Sequence, residues 1–111
     1  MMNGSAVADY LEDEPPRADV DRLPGATMLE FGTPWCGYCI SIRPLVQARL
    51  AEHPQVRHLR IEDGPGRPLG RSFGIRLWPT FVFLRDGREV ARLVRPRDPA
   101  ALGHALQKVV A

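Results

Sequence analysis

Cys36 and Cys39 are the only two cysteines in the chain, and only Gly37 and Tyr38 separate them. A close Cys-x-x-Cys pair can form and open a disulfide within itself, and so exchange two electrons with a disulfide elsewhere. The attacking species is a thiolate, so the flanking sequence must put one sulfur where negative charge is favoured. An apolar stretch with β character, Met28–Phe31, leads into the pair, and a helix-like pattern, Ile40–Glu52, follows it. A helix start presents unpaired N–H groups and the positive end of the helix dipole to Cys36. Cys36 is therefore the candidate nucleophile. Cys39 is the candidate resolving thiol, because cysteines at i and i+3 of a helix start lie near the Cα separation that a disulfide requires.

Other chemistries fit less well. Two cysteines are too few for a structural disulfide framework, and in a reducing compartment a lone close pair reads as catalytic or metal-binding. Zinc needs four ligands, and His53, His58 and His104 have no ligand spacing to the cysteines; all three read as surface or helix-end residues. No metal is expected, nor any cofactor beyond the redox-active Cys36–Cys39 pair. The formal net charge is only +2, with arginines interleaved among acids, which argues against nucleic acid. The apolar run Phe81–Leu84 is far too short to span a membrane. Met1–Ser5 lacks the basic start of a secretory signal and soon meets Asp9, Glu12, Asp13 and Glu14, so a cytoplasmic location is expected.

The elements that must position the pair follow from pattern. At 111 residues the chain suits one domain, with 1–14 a weakly ordered segment in which Ala6–Leu11 is a short edge strand or helical turn, and 15–111 the folded unit. Pro16 opens a short helix, Arg17–Leu23, and Pro24-Gly25 ends it. Ala26–Phe31 is nearly all apolar, as in a strand covered on both faces, with Glu30 the exception. After the cysteines, Ile42, Leu45, Val46 and Leu50 recur at helical spacing, interrupted by Pro44. Val56–Ile61 is a second strand and 62–68 a loop. Leu69–Phe73 is a short helix capped by Gly74. Thr80–Leu84 is a buried strand, turned at Asp86-Gly87 into the more polar Glu89–Val94. Asp98 caps a last helix with Pro99 at its first position and Leu102, Ala105, Leu106 and Val109 on its core face. The order β-α-β-α-β-β-α implies an α/β layered domain with one antiparallel hairpin.

Four segments together resemble the thioredoxin family. They are Trp35-Cys36-Gly37-Tyr38-Cys39; Pro44, five residues after the second cysteine; Phe73-Gly74-Ile75-Arg76-Leu77-Trp78-Pro79-Thr80; and Arg85-Asp86-Gly87. The resemblance runs from about residue 15 to the end. It implies a thioredoxin-like fold: a central mixed β-sheet flanked by helices on both faces. It also implies a cis Pro79 beside Cys36, with Trp78 offering its main chain to an extended substrate, and Glu30 as a buried acid that takes the proton from Cys39. The residues themselves leave a solvated strand-end glutamate open for Glu30. Arg60 is a candidate ion-pair partner for Glu30, with an exposed arginine the favoured reading. Trp35, Gly37 and Tyr38 would join Trp78 and Pro79 in contacting substrate, with Trp35 and Tyr38 as an apolar rim about the sulfur.

The resemblance implies a monomeric thiol–disulfide oxidoreductase that reduces protein disulfides and draws electrons from a flavoprotein thioredoxin reductase. Gly37-Tyr38 and Glu30 look more like disulfide isomerases than thioredoxins, and Trp78 replaces the family's usual small aliphatic residue. A disulfide isomerase or oxidant therefore stays open, as does a non-catalytic binding module.

Overall fold

The computed structural model describes residues 9–111. The elements in chain order are α1 (Arg17–Val20), β1 (Ala26–Gly32), α2 (Gly37–Ala51), β2 (Arg57–Glu62), α3 (Pro68–Ser72), β3 (Thr80–Arg85), β4 (Arg88–Val94) and α4 (Pro99–Val110). The four strands form one sheet in the order β2-β1-β3-β4. β1 runs parallel to β2 and antiparallel to β3, and β3 runs antiparallel to β4. The sheet is therefore mixed, as expected, and its central strands are the apolar ones.

The pleat divides the core in two. Met28, Phe81 and Phe83 face Ile42 and Val46 of α2 and Leu102, Ala105, Leu106 and Val109 of α4. Leu29, Phe31, Ile61, Val82 and Leu84 face the other way, against Val20 of α1, Leu69 of α3 and Phe73. Successive strand residues alternate between faces, so Glu30 shares the face of Met28 and lies on the α2 side. β4 is the outer strand and is only partly buried, in keeping with its polar sequence. Pro44 lies inside α2, where its missing N–H leaves the Ile40 carbonyl without its helical partner.

Most element boundaries shift by one residue from the sequence reading, and three differences are larger. The first helix stops at Val20, and residues 21–22 continue as a turn. The helix after the cysteines begins at Gly37, so both sulfurs belong to its first turn. The segment expected to be weakly ordered is tied down where it is described: Tyr10 makes a parallel bridge to Arg60, the Leu11 N–H donates to the Arg60 carbonyl at 3.0 Å, and Glu14 accepts the Leu69 N–H at 3.0 Å. A strand edge offers unpaired main-chain groups, and these contacts use some of them. Residues 1–8 of that expectation, including the first half of Ala6–Leu11, lie outside the described residues.

The β3–β4 turn is a two-residue loop with Asp86 at φ 50° and Gly87 at φ 81°, the left-handed pair that matches strand twist. The Asp86 carboxylate accepts the Gly25 N–H at 2.7 Å, and the Asp86 N–H donates to the Gly25 carbonyl at 2.9 Å. A Cβ at Gly87 would collide with the main-chain carbonyl of Asp21. Gly87→Ala is therefore expected to destabilise the protein by about 2 kcal/mol, from the strained φ together with the clash. Urea unfolding would show it as a lowered midpoint at unchanged slope. An unchanged midpoint would contradict this account of the turn.

Candidate active site

Cys36 occupies the N-cap of α2 in an extended conformation, and its Sγ accepts the Cys39 N–H at 3.1 Å. A sulfur here does what a capping oxygen usually does: it satisfies one of the orphan N–H groups of the first turn. The Cys36 N–H in turn donates to the Thr33 carbonyl at 3.3 Å, closing the turn between β1 and α2. Both cysteines are free thiols and both are buried.

Glu30 lies under this turn and is 1% exposed, which excludes the solvated strand-end alternative. Its Oε1 accepts from two donors: Arg60 Nη2 at 3.2 Å and His58 Nε2 at 2.8 Å. Two readings of the sequence are corrected here. Arg60, expected to be exposed, is 1% exposed, because the parallel register sets it directly beside Glu30. His58, expected at the surface, has a side chain 9% exposed, because residues two apart on a strand share a face. That period-two relation to Arg60 was the available signal. With an ionised carboxylate as acceptor, the proton on the shared edge belongs to His58 Nε2. Glu30 Oε2 is buried and has no hydrogen-bond partner among the described residues.

Cys39 is 1% exposed. Burial first, then its hydrogen bond to Cys36, and last the charges of Cys36 and Glu30, push its thiol up to about 11, against a lowering by the Thr33 main chain. A Cβ on Gly32 would lie 2.6 Å from Cys39 Sγ and 3.0 Å from the Tyr10 hydroxyl, so glycine at the end of β1 is what lets the sulfur approach the strand. Tyr10, absent from the sequence-based candidates, donates to the Thr33 carbonyl at 2.9 Å. Burial above all, reinforced by Cys39 and Glu30, shifts its phenol well upward and keeps it protonated.

The second side of the site comes from the segment before β3. The Trp78–Pro79 peptide bond is cis. The Trp78 ring meets the Trp35 ring edge-on, with centroids 5.6 Å apart at 79°, and its Nε1 donates to Asp63 at 2.9 Å. Trp35, next to Cys36 in sequence, is 72% exposed. Tyr38 is turned elsewhere: its hydroxyl donates to the carbonyls of Arg95 at 3.0 Å and Pro96 at 3.4 Å, linking the head of α2 to the segment after β4. Gly37 is exposed at the first position of α2. Among the described residues, the large exposed apolar side chains are Trp35, Ile40, Leu77 and Val94. The first three lie within four residues of Cys36 or Pro79 in sequence, and Val94 pairs with Thr80. No group of three or more metal-binding side chains occurs among the described residues, and no helix there is long and apolar enough to cross a membrane.

A mixed sheet carrying a dithiol in the first turn of its longest helix, above a buried carboxylate, defines a thiol–disulfide oxidoreductase. A family model described as Thioredoxin matches residues 10–108. The chain belongs to the thioredoxin family and is a protein-disulfide oxidoreductase acting through its Cys-x-x-Cys pair. The structure of thioredoxin 2 from Pseudomonas aeruginosa in its reduced form is similar at a TM-score of 0.83 and 53% identity, covering 93% of this chain and 95% of that one. Thioredoxin of Chlamydia muridarum is 34% identical over 85 residues, covering 76% of this chain and 82% of that protein. Protein disulfide-isomerase A2 of Pongo abelii is also 34% identical, over 91 residues, but the match spans only 17% of that longer protein.

A thiol raised to about 11 is deprotonated to only roughly one part in ten thousand at pH 7. Iodoacetamide at pH 7 is therefore expected to label Cys36 and spare Cys39, with Cys39 labelling rising as the pH climbs towards 11. Peptide mass spectrometry of the reduced protein measures both sites. Equal labelling at pH 7 would contradict the assignment.

Proposed function

We propose that the protein is a cytoplasmic reductase of protein disulfides, with no cofactor beyond its own cysteine pair and with a flavoprotein thioredoxin reductase as electron donor. The observation that carries the reading is the capped Cys36 sulfur, set above a buried carboxylate and within an exposed apolar rim. The Cys36 thiolate attacks one sulfur of the substrate disulfide. The S–S bond breaks, one substrate sulfur leaves as a thiolate, and a mixed disulfide joins Cys36 to the other. Cys39 then loses its proton and attacks Cys36 Sγ, releasing the second substrate thiolate. The substrate gains two electrons and the Cys36–Cys39 pair loses two.

Glu30 is the acceptor this second step calls for. Its free Oε2 is available while Oε1 is held by Arg60 and His58. Trp35, Gly37, Trp78 and Pro79 line the substrate's path, and Tyr38 supports it from behind through Arg95. Single-turnover rapid quench should show Glu30→Gln slowing release from the mixed disulfide by about 10- to 100-fold, while the first attack changes much less. Equal effects on both steps would remove Glu30 from the resolving role.

Redox titration of the pair against glutathione tests the direction. A potential near ~−270 mV supports a reductase, whereas one of about −120 to −180 mV would support the isomerase or oxidant that Gly37-Tyr38 suggests. In an insulin-reduction assay Cys36→Ser should be inactive, and Cys39→Ser should trap mixed disulfides with substrate proteins. Retained activity in the first variant would overturn the nucleophile assignment.

A further inference from the structure

The rim around Trp78 carries a charge pattern that thiol exchange does not itself require. Arg95, just after β4, has φ 47°, a left-handed conformation that favours glycine. It is held there from three directions. Its N–H donates to the Pro79 carbonyl at 2.9 Å, its carbonyl accepts the Tyr38 hydroxyl at 3.0 Å, and its Nε donates to the Trp78 carbonyl at 2.8 Å. The guanidinium carbon lies 5.7 Å from the centre of the Tyr38 ring. The residue is nonetheless exposed, and among the described residues it makes no ion pair. One nitrogen anchors the guanidinium, which leaves its terminal amino groups for a ligand.

A basic cavity of about 410 Å³ opens on another flank of Trp78, lined by Asp63, Arg67, Arg71 and Arg76 among others. Arg67 is paired with Glu62 at 3.9 Å, and nearby Arg92 with Glu89 at 2.8 Å. Asp63 accepts the Trp78 indole N–H. Arg71 and Arg76 are exposed and have no ion pair among the described residues. After local pairing, the rim presents Arg71, Arg76 and Arg95 against the single carboxylate of Asp63. The exposed apolar side chains Leu77 and Val94 line a further cavity together with Arg76, and Val94 directly precedes Arg95.

We propose that this rim selects acidic polypeptides: disulfide substrates whose segment crossing Trp78-Pro79 carries Asp or Glu beside the reactive cysteine. Arg95 is the specificity-determining residue, pairing its terminal amino groups with the nearest carboxylate, and Arg71 and Arg76 receive acids further along the segment. An arginine anchored at Nε is suited to this, because its planar fork is already oriented before the carboxylate arrives. The proposal rests on the disulfide-exchange reading above and adds the chemistry of the preferred partner.

The test uses peptide disulfides identical except for Glu, Gln or Lys beside the cysteine, and compares kcat/KM ratios within each enzyme so that any general loss cancels. The wild type is expected to prefer the Glu peptide over the Lys peptide by about fivefold at low ionic strength, mainly through KM, as for an exposed ion pair. Added salt should erode the preference. Arg95→Gly suits the left-handed backbone and so should fold. It is expected to bring the ratio close to that of the Gln control, with Arg71→Gln/Arg76→Gln removing the remainder. Equal turnover of the three peptides by the wild type, or a ratio unmoved by all these variants, would overturn the charge selection alone. Failure of the reduced wild type to turn over even the Gln peptide would overturn the disulfide-exchange reading, and the selection with it.

Discussion

The 3.1 Å hydrogen bond from the Cys39 N–H to the Cys36 sulfur is the interaction on which the rest of the site depends. It couples a requirement of every helix to a requirement of this chemistry. A helix start must satisfy N–H groups that have no intrahelical partner. A disulfide-exchanging sulfur must be able to carry negative charge, both when it attacks and when it leaves. Placing the sulfur at the N-cap meets both with one contact. The same contact sets the spacing of the two thiols, since its donor belongs to Cys39 itself. Cys36 is 9% exposed and Cys39, behind it, 1%, a difference in access that favours Cys36 in the proposed first attack.

The buried carboxylate beneath them is hard to explain by stability. Desolvating Glu30, Arg60 and His58 is costly, and a buried ion pair commonly adds no more stability than well-packed apolar residues would. Its strand neighbours Leu29 and Phe31 are apolar, but on its own face it is the acceptor that Arg60 and His58 share, so only replacing the group together with apolar residues would keep the layer packed. What the carboxylate adds is an anionic oxygen in a dry place, held by two donors on one side and unpartnered on the other. That asymmetry suits a group that must accept a proton without rearranging. Burial and the hydrogen bond to Cys36 do most to make the Cys39 thiol reluctant to ionise, and the charge of Glu30 adds the least, which is why the proposed exchange needs a proton acceptor close by.

The fold was largely legible in the sequence because its elements are locally consistent. The apolar runs gave β1 and β3, Asp86-Gly87 gave the hairpin, and Asp98-Pro99 gave the start of α4. The cysteines were legible from their type and spacing, whereas the readings of Glu30, Trp35 and the Trp78-Pro79 segment came through the resemblance to the thioredoxin family. The parts that stayed hidden depend on pairing between distant residues. Arg60 and His58 alternate with apolar neighbours and look like the wet face of a strand. Only the parallel register, which sets Glu30 opposite Arg60, turns that face inward beneath α2. Tyr10 lies in the Ala6–Leu11 stretch, whose pattern is too short to choose between strand and helical turn, and it gains its role by bridging to Arg60. Tyr38 looked like a rim residue because it adjoins the sulfur in sequence, yet its hydroxyl bonds to a carbonyl 57 residues away.

Trp78 shows how these distant pairings build one site. Three separate segments hold it: Trp35 by ring contact, Asp63 at the indole N–H, and Arg95 at the main-chain carbonyl. A small aliphatic residue at this position would offer neither the ring nor the indole donor. With tryptophan present, the turn carrying the cysteines, the loop after β2 and the segment after β4 are tied to one residue, which itself precedes the strand at the centre of the sheet. Preorganisation of this kind lowers the ordering cost when an extended substrate docks. It also fixes what surrounds the sulfur, since the residues that anchor Trp78 bring their own charges to the rim. Geometry and selectivity are therefore linked here: the arginine that steadies the main chain is also the cation nearest to it.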